Sequence, residues 1–137
     1  MNFVLDASMA LAWCFPDEAN DQADKVLRLV IAGTAHVPAI WPLEVANALR
    51  TGVYRGRLTN AQLQEALELI RHVIVSLDSP SSATVFGRTL SLALRFNLSV
   101  YDASYLELAE RQSVPLATHD ERLSNSAKEL GLAPIET

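Results

Sequence analysis

The chain has 137 residues, 50% of them hydrophobic and 20% charged, and its formal net charge is −5 at pH 7. This length and composition are typical of one globular domain with a substantial core, so we predict a single domain over residues 1–137. Because the net charge is negative, the composition argues against a simple basic module that binds nucleic acid. It leaves open an enzyme that holds a polyanion through metal ions and a local basic strip.

The sequence gives no indication of secretion or of a membrane segment. Cys14 is the only cysteine, so no disulfide can form within the chain, which favours a reducing compartment. The first residues contain no basic segment, and Asp6 interrupts their apolar run, which argues against a signal peptide. No apolar run approaches the roughly 18 residues that a membrane-spanning helix needs. We therefore expect a cytoplasmic protein with no membrane partner.

The first third of the chain predicts a strand followed by two helices. Residues 3–6 are a short apolar run of strand-forming residues, and residues 7–14 follow as a helix. Asn20 or Asp21 can cap the next helix, whose apolar residues keep helical spacing until Gly33.

The middle of the chain predicts a brief strand and two more helices. The strand is residues 36–39, a segment too short for a helix. Pro42 suits the first turn of a helix that runs towards Gly52, because a proline there loses no hydrogen bond. Thr59 then caps another helix, with Gln62 in the capping-box position.

The remainder of the chain continues the alternation. Its predicted strands are residues 73–77, 114–118 and 133–135, and its predicted helices are residues 83–96, 100 to about 109, and 121–130. The segment 73–77 is the most β-like of the chain, so we predict that it is a central strand. The predicted core face of helix 83–96 comprises Val85, Phe86, Leu90, Ala93 and Leu94. The alternation predicts an α/β/α sandwich, with a central, mostly parallel sheet of four to five strands.

Four acidic residues fall at or within the first turn of predicted helices: Asp6, Glu44, Asp102 and Asp120. Each has an ordinary explanation by itself, because acids at these positions cap free N–H groups and complement the helix dipole. If all four meet at one edge of the sheet, two carboxylates about 4 Å apart repel by roughly 4 kcal/mol, and the group needs protonation, separation or a cation. Carboxylates with water favour Mg²⁺ or Mn²⁺ over zinc.

The acids lie in segments that resemble, in family order, the motifs of PIN-domain ribonucleases, and among them the VapC-type toxins of bacterial toxin–antitoxin pairs. The matching segments are residues 4–8 (VLDAS), 42–49 (PLEVANAL), 101–109 (YDASYLELA) and 116–123 (LATHDERL). The resemblance covers essentially the whole chain. It implies a PIN-like fold and an endoribonuclease that depends on Mg²⁺ or Mn²⁺.

The resemblance also implies roles for individual residues. The catalytic, metal-binding acids would be Asp6, Glu44, Asp102 and Asp120, and the small polar residues that support them would be Ser8, Asn47 and Thr118. Asp6 would be the central ligand, Asp102 and Asp120 would complete the coordination directly or through water, and Glu44 could orient the attacking water. Cleavage would leave a 5′-phosphate. His119 stands where family members often have Asn.

Partners follow from the same resemblance, which implies an RNA substrate, a small cognate antitoxin that blocks the site, and a homodimer. Arg50, Arg55 and Arg57 cluster just past the Glu44 helix and are candidates for phosphate contacts, although a solvated basic turn explains them equally well. Tyr54 and Tyr101 could stack on bases or pack within the protein. The apolar faces of residues 23–31 and 63–70 could bind the antitoxin or belong to the core.

Two other functions are consistent with a small, acid-lined α/β protein. A receiver domain would use Asp78 as its phospho-acceptor, but it also needs an acid doublet near the first strand and a lysine near the end of a late strand. Residues 6–7 are not such a doublet, and residues 116–118 contain no lysine. A binding-only module would have the same fold without catalysis. The retention of all four acids argues against it.

Overall fold

Four parallel strands form the centre of the computed structural model, which describes residues 1–135 of the chain. The strands are β1 (Asn2–Leu5), β2 (Thr34–Pro38), β3 (Val75–Asp78) and β4 (Leu116–Ala117). Their order is β3-β2-β1-β4, and all three pairings are parallel. Phe3, Val4 and Leu5 are fully buried although successive side chains point to opposite faces, so helices cover both faces of the sheet. This confirms the predicted fold class.

Seven helices of the described residues flank the sheet. They are α1 (Ala7–Cys14), α2 (Asp21–Ala32), α3 (Trp41–Tyr54), α4 (Asn60–His72), α5 (residues 82–96), α6 (Val100–Gln112) and α7 (Glu121–Glu129), with a 3₁₀ turn at Pro16–Glu18. Asn20 caps α2, and Thr59 and Gln62 form the predicted capping box of α4. Within residues 1–135, no helix has both the length and the apolar character to cross a membrane.

The prediction that the most β-like segment is central was wrong. β3 lies at the edge of the sheet, and Ile74 and Leu77 are exposed. High β-propensity reports that side chains fit a pleated surface, and it does not report the position of a strand in the sheet. The predicted fifth strand is only an isolated parallel bridge between Leu116 and Pro134.

The predicted core face of α5 was also largely wrong. Phe86 and Leu94 are each 77% exposed, while Thr89, Leu92 and Ala93 are buried. The cause is a π-helical segment, Val85–Thr89, between two α-helical segments. The wider turn breaks the 3.6-residue period on which the prediction relied and presents a different face to the core.

The sequence predicted that α3 runs towards Gly52, but the helix continues past Gly52, which lies buried inside it. A Cβ atom at this position would lie 2.5 Å from Cε1 of Phe15, so only glycine allows the Phe15 ring to pack against the helix. The helix instead ends at Tyr54 and is followed by Gly56, whose φ of 76° suits a residue without a side chain.

Because all strands are parallel, their carboxyl ends lie along one edge of the sheet. Asp6 follows β1 and Thr118 follows β4, and α3 begins three residues after β2 ends. Loops at this edge are where parallel sheets carry their ligand sites.

Candidate active site at the carboxyl edge of the sheet

Asp6 directly follows the central strand β1 and is only 5% exposed. It occupies the N-cap position of α1, but its side chain makes no capping hydrogen bond. Instead, its Oδ2 accepts hydrogen bonds from the hydroxyls of Ser8 and Thr118, both at 2.6 Å. Capping therefore does not explain Asp6.

Ser8 and Thr118 also join the loop after β4 to the first turn of α1. Their hydroxyl oxygens lie 3.3 Å apart. The backbone N–H of His119 donates to Ser8 Oγ at 3.0 Å, and the N–H of Asp120 donates to Thr118 Oγ1 at 2.9 Å. Because His119 joins this network through its backbone, the network does not depend on which residue occupies that position.

Asp120 is the acid for which the capping explanation holds. Its Oδ1 accepts a hydrogen bond from the N–H of Leu123 at 3.0 Å, at the start of α7. This bond orients the carboxylate, which remains exposed at the same edge as Asp6.

Glu44 and Asp102 come from the first turns of α3 and α6 and are both partly buried. The Tyr105 hydroxyl donates to Glu44 Oε1 at 2.8 Å. The backbone N–H of Asp102 is capped by Ser99 Oγ at 3.0 Å. Tyr105 lies three residues after Asp102, on the same side of α6, so this helix contributes to the site at both residues.

The role of Tyr105 was not predicted from the sequence. Its ring is fully buried, and burial together with Glu44 raises the pKa of its hydroxyl far above the usual value. The hydroxyl is therefore a permanent hydrogen-bond donor to Glu44. The spacing of Tyr105 from Asp102 was the only signal that could have indicated it.

Burial is the main cause that raises the pKa of Asp6, Glu44 and Asp102 above their usual values. Repulsion from Asp102 adds to the rise at Asp6, and repulsion from Asp6 and Asp102 adds to the rise at Glu44. Asp120 has the same effect on Asp102. The four carboxylates therefore form one electrostatically coupled group.

Hydrogen-bond donors and one arginine oppose this rise. Ser8 and Thr118 lower the pKa of Asp6, and Tyr105 lowers that of Glu44. The Arg122 guanidinium lowers the pKa of Asp102, but the pKa stays raised. The acids thus remain short of positive charge, which an external cation can supply.

The donor set fits a hard cation, because it consists of carboxylate oxygens. Within residues 1–135, no three His, Cys, Asp or Glu side chains are arranged to ligate one ion directly. Carboxylate oxygens are ligands of the kind that hard cations such as Mg²⁺ and Ca²⁺ take in proteins.

The other predicted site residues lie on α3 and the turn that follows it. Asn47 is exposed one turn after Glu44. The Arg50 guanidinium lies over the ring of Tyr54, 5.4 Å from its centroid. Arg55 is exposed in the turn after α3.

The Arg57 side chain makes its contacts within the protein. Its Nη2 lies 3.1 Å from Asp17 and 2.8 Å from Glu18, and its guanidinium stacks on Phe15 at 4.2 Å. Within the described residues, none of the three arginines makes a hydrogen bond to the four acids. Their proposed phosphate contacts remain predictions.

The receiver-domain alternative fails on the environment of its key residue. Asp78 accepts hydrogen bonds from Arg111 Nη1 at 3.1 Å and Nη2 at 2.6 Å, at the end of an edge strand. Cys14 is buried as expected, and burial raises the pKa of its thiol to about 11, so it is not a nucleophile.

The chain is similar to known proteins along nearly its whole length. The family model described as PIN domain matches residues 3–129. Ribonuclease VapC3 of Pyrobaculum aerophilum is 33% identical over 124 residues, which cover 90% of this chain and 93% of that protein. Ribonuclease VapC9 of Mycobacterium tuberculosis is 36% identical over 125 residues, 91% of each chain.

A comparison with solved structures gives the same result as the sequence similarity. The crystal structure of PAE2754 from Pyrobaculum aerophilum has a TM-score of 0.69 to this chain at 25% sequence identity, covering 93% of this chain and 81% of that one. The strand order, the family match and the similarity to VapC ribonucleases lead to one conclusion. The chain belongs to the PIN domain family.

Proposed function

We propose that the protein is a metal-dependent endoribonuclease toxin of the VapC type. The observation that carries this proposal is the coupled group of four carboxylates at the carboxyl edge of the sheet, in which buried Asp6 is oriented by two hydroxyls. The names of the similar VapC proteins support RNA as the substrate.

The acids have distinct roles in this proposal. A bound Mg²⁺ or Mn²⁺ supplies Lewis-acid polarisation of the phosphate and lowers the pKa of a water. Asp6, fixed by Ser8 and Thr118, would be the central ligand, and Asp102 and Asp120 would hold the ion directly or through water. Tyr105 occupies one oxygen of Glu44, and we assign the second oxygen to orienting the attacking water.

The test is cleavage of single-stranded RNA by the purified protein with Mg²⁺ or Mn²⁺, compared with the same reaction in a chelator. We expect cleavage that the chelator abolishes and that Asp6→Asn also abolishes. Asp24→Asn is the matched control, because Asp24 is an exposed acid on α2, a helix that contributes none of the four acids. Wild-type cleavage by Asp6→Asn would show that the proposed site is wrong.

We further propose that a small antitoxin binds the groove between α3 and α4. This groove has a volume of about 440 Å³, and its apolar lining includes Leu49, Val53, Leu63 and Leu67. The alternative face on α2 is unsuitable, because Ala23, Val26 and Val30 are buried in the core.

Co-expression with a neighbouring small reading frame tests this proposal. We expect growth rescue and co-purification, and we expect Leu67→Glu to prevent co-purification. Gln64→Glu is the control, since Gln64 is exposed on the same helix. Equal co-purification of both variants would exclude the groove.

We also propose that the protein is a homodimer that acts in the cytoplasm. Phe86, Leu90 and Leu94 form an exposed apolar face on α5, and such faces mark interaction sites. Light scattering on the purified chain should give the mass of two copies, and Phe86→Lys should give one. A monomeric wild type at high concentration would contradict the dimer.

A further inference from the structure

A second cavity opens at the same edge of the sheet, beside the segments that carry Glu44 and Asp102. Its volume is about 310 Å³. Its walls come from the segments that follow β2 and β3, from α5 and from one side of α6. They include Pro38, Ile40, Asp78, Tyr101, Ser104 and Glu107.

The cavity and the acid site are built from the same two segments. After β2, Ile40 lines the cavity and Glu44, one turn later, is one of the acids. On α6, Tyr101 lines the cavity while the adjacent Asp102 is an acid. An RNA strand with its phosphate at the acids therefore has a neighbouring nucleotide within reach of the cavity.

The apolar part of the cavity suits a flat ring. Pro38, Ile40, Val85 and Val100 provide apolar walls. The Tyr101 side chain is 64% exposed, so its ring is available for contact. Unpaired bases bind proteins mainly by stacking on such rings.

The polar part of the cavity offers acceptors. Asp78 and Glu107 are carboxylates whose charge is compensated by Arg111, at 2.6 and 2.7 Å. The Ser104 hydroxyl donates its hydrogen to the Tyr101 carbonyl at 2.5 Å, so its oxygen can only accept from a ligand. Glu107 is nearly fully buried, so the acceptors that a ligand can reach are the Ser104 oxygen and the free lone pairs of the Asp78 carboxylate, which can accept hydrogen bonds from an amino group.

We propose that this cavity is a subsite for one unpaired nucleobase that carries an exocyclic amino group and stacks on Tyr101, next to the phosphate held at the acids. The proposal rests on the ribonuclease function proposed above. It assigns Tyr101 a role in substrate binding.

The experiment uses a single-stranded RNA that contains the bond cleaved by the wild-type protein. We expect Tyr101→Ala to lower kcat/KM about tenfold, mainly through KM, and Tyr101→Phe to retain most of it, because its ring still stacks. Ile74→Ala is the control, since Ile74 is an exposed large side chain outside both sites.

A matched change in the RNA makes the test specific. We place an abasic nucleotide next to the cleaved bond, first on its 5′ side and then on its 3′ side. At one of these positions it should lower kcat/KM of the wild type about tenfold and change kcat/KM of Tyr101→Ala little, because both changes remove the same contact. Replacing cytidine by uridine at that position should also slow the wild type. Equal abasic penalties in the two proteins would overturn the subsite.

Failure of the two proposals can be told apart. If the wild type cleaves RNA but Tyr101→Ala has the same kcat/KM, only the subsite is wrong. If the wild type cleaves no RNA, the function is wrong, and fluorescence anisotropy with a labelled single-stranded oligocytidine then tests the subsite alone: weaker binding by Tyr101→Ala than by the wild type supports the subsite, and equal binding overturns it. If Tyr101→Ala loses activity only by losing a second copy, as light scattering would show, the cavity is a protein contact and the subsite is excluded.

Discussion

At the first turn of α6, burial and repulsion from Asp120 raise the pKa of Asp102, whereas near the last turn the Arg88 guanidinium lowers the pKa of Glu110. Both residues are acids on one helix. Their pKa values shift in opposite directions because the chain provides a bonded arginine for one of them and not for the other. Arg88 bonds both oxygens of Glu110 at 2.7 and 2.6 Å, whereas Asp102 has three acids in its surroundings and only the opposing charge of Arg122.

The same contrast holds for the next acid along the helix. Glu107 is only 4% exposed, and Arg111 bonds both of its oxygens and both oxygens of Asp78. The last turns of α6 therefore neutralise their acids within the chain and connect the helix to β3. Of the three acids on α6, only Asp102 at the first turn has no ion pair with a described residue, and we interpret its surroundings as the place for an external cation.

The largest effect should follow from removing the cation at the last turns. Arg111→Leu leaves the carboxylate of Glu107 buried without its partner, and we expect it to lower the free energy of unfolding by about 3 kcal/mol. Urea denaturation measures this. Arg71→Leu is the control, because its pair with Glu68 lies on the surface and should contribute less than about 0.5 kcal/mol. Equal losses in the two variants would mean that the buried pair of Glu107 contributes no more to stability than a surface ion pair.

Adding the missing cation at the first turn should have the next largest effect. Mg²⁺ at about a hundred times its Kd should stabilise the fold by about 2.7 kcal/mol, because it binds the folded carboxylates and not the unfolded chain. Thermal unfolding at neutral pH, with and without a chelator, measures the shift in Tm. Asp6→Asn should lose most of this shift, and a full shift in that variant would place the ion elsewhere.

These expectations depend on features that differ in how well the sequence predicts them. Ser8 and Thr118 were implied only by the resemblance to PIN-domain ribonucleases, but the position of Asp6 at the end of β1 was predictable, because parallel strands place their carboxyl ends together. The bond between Tyr105 and Glu44 was not, since it depends on how α3 and α6 pack. The pairing of Arg111 with two acids depends in the same way on the packing of α6 against β3.

The errors in the fold have the same origin. Local propensity identified β3 as a strand but could not give its position in the sheet, because strand order is decided by packing between distant segments. The exposed face of α5, with Phe86 and Leu94, follows from a π-helical turn that no periodic pattern in the sequence indicated.

Tyr105→Phe should have a moderate effect on catalysis. It removes the hydroxyl that donates to Glu44 at 2.8 Å, and we expect roughly a tenfold loss of kcat/KM. Because this hydrogen bond lowers the pKa of Glu44, its loss should move the acidic limb of the pH–rate profile to higher pH. A rate loss without a shift of that limb would indicate that Tyr105 only supports packing.

The smallest effect is on the stability of the metal-free protein. Because burial raises the pKa of Asp6 above its ordinary value of 3.8, the folded state binds the proton more tightly than the unfolded state. The free energy of unfolding therefore falls as the pH rises through the range between the two pKa values, and ionised Asp6 destabilises the fold above it. In chelator, Asp6→Asn should be more stable than the wild type by about 1 kcal/mol near pH 8, and the difference should vanish as the pH falls towards about 4. Thermal unfolding of both proteins across this range measures it. A variant that is less stable at every pH would mean that the hydroxyls of Ser8 and Thr118 already stabilise the charge of Asp6. The acids around Asp102 would then not be short of compensating charge, as the contrast with Glu107 and Glu110 requires.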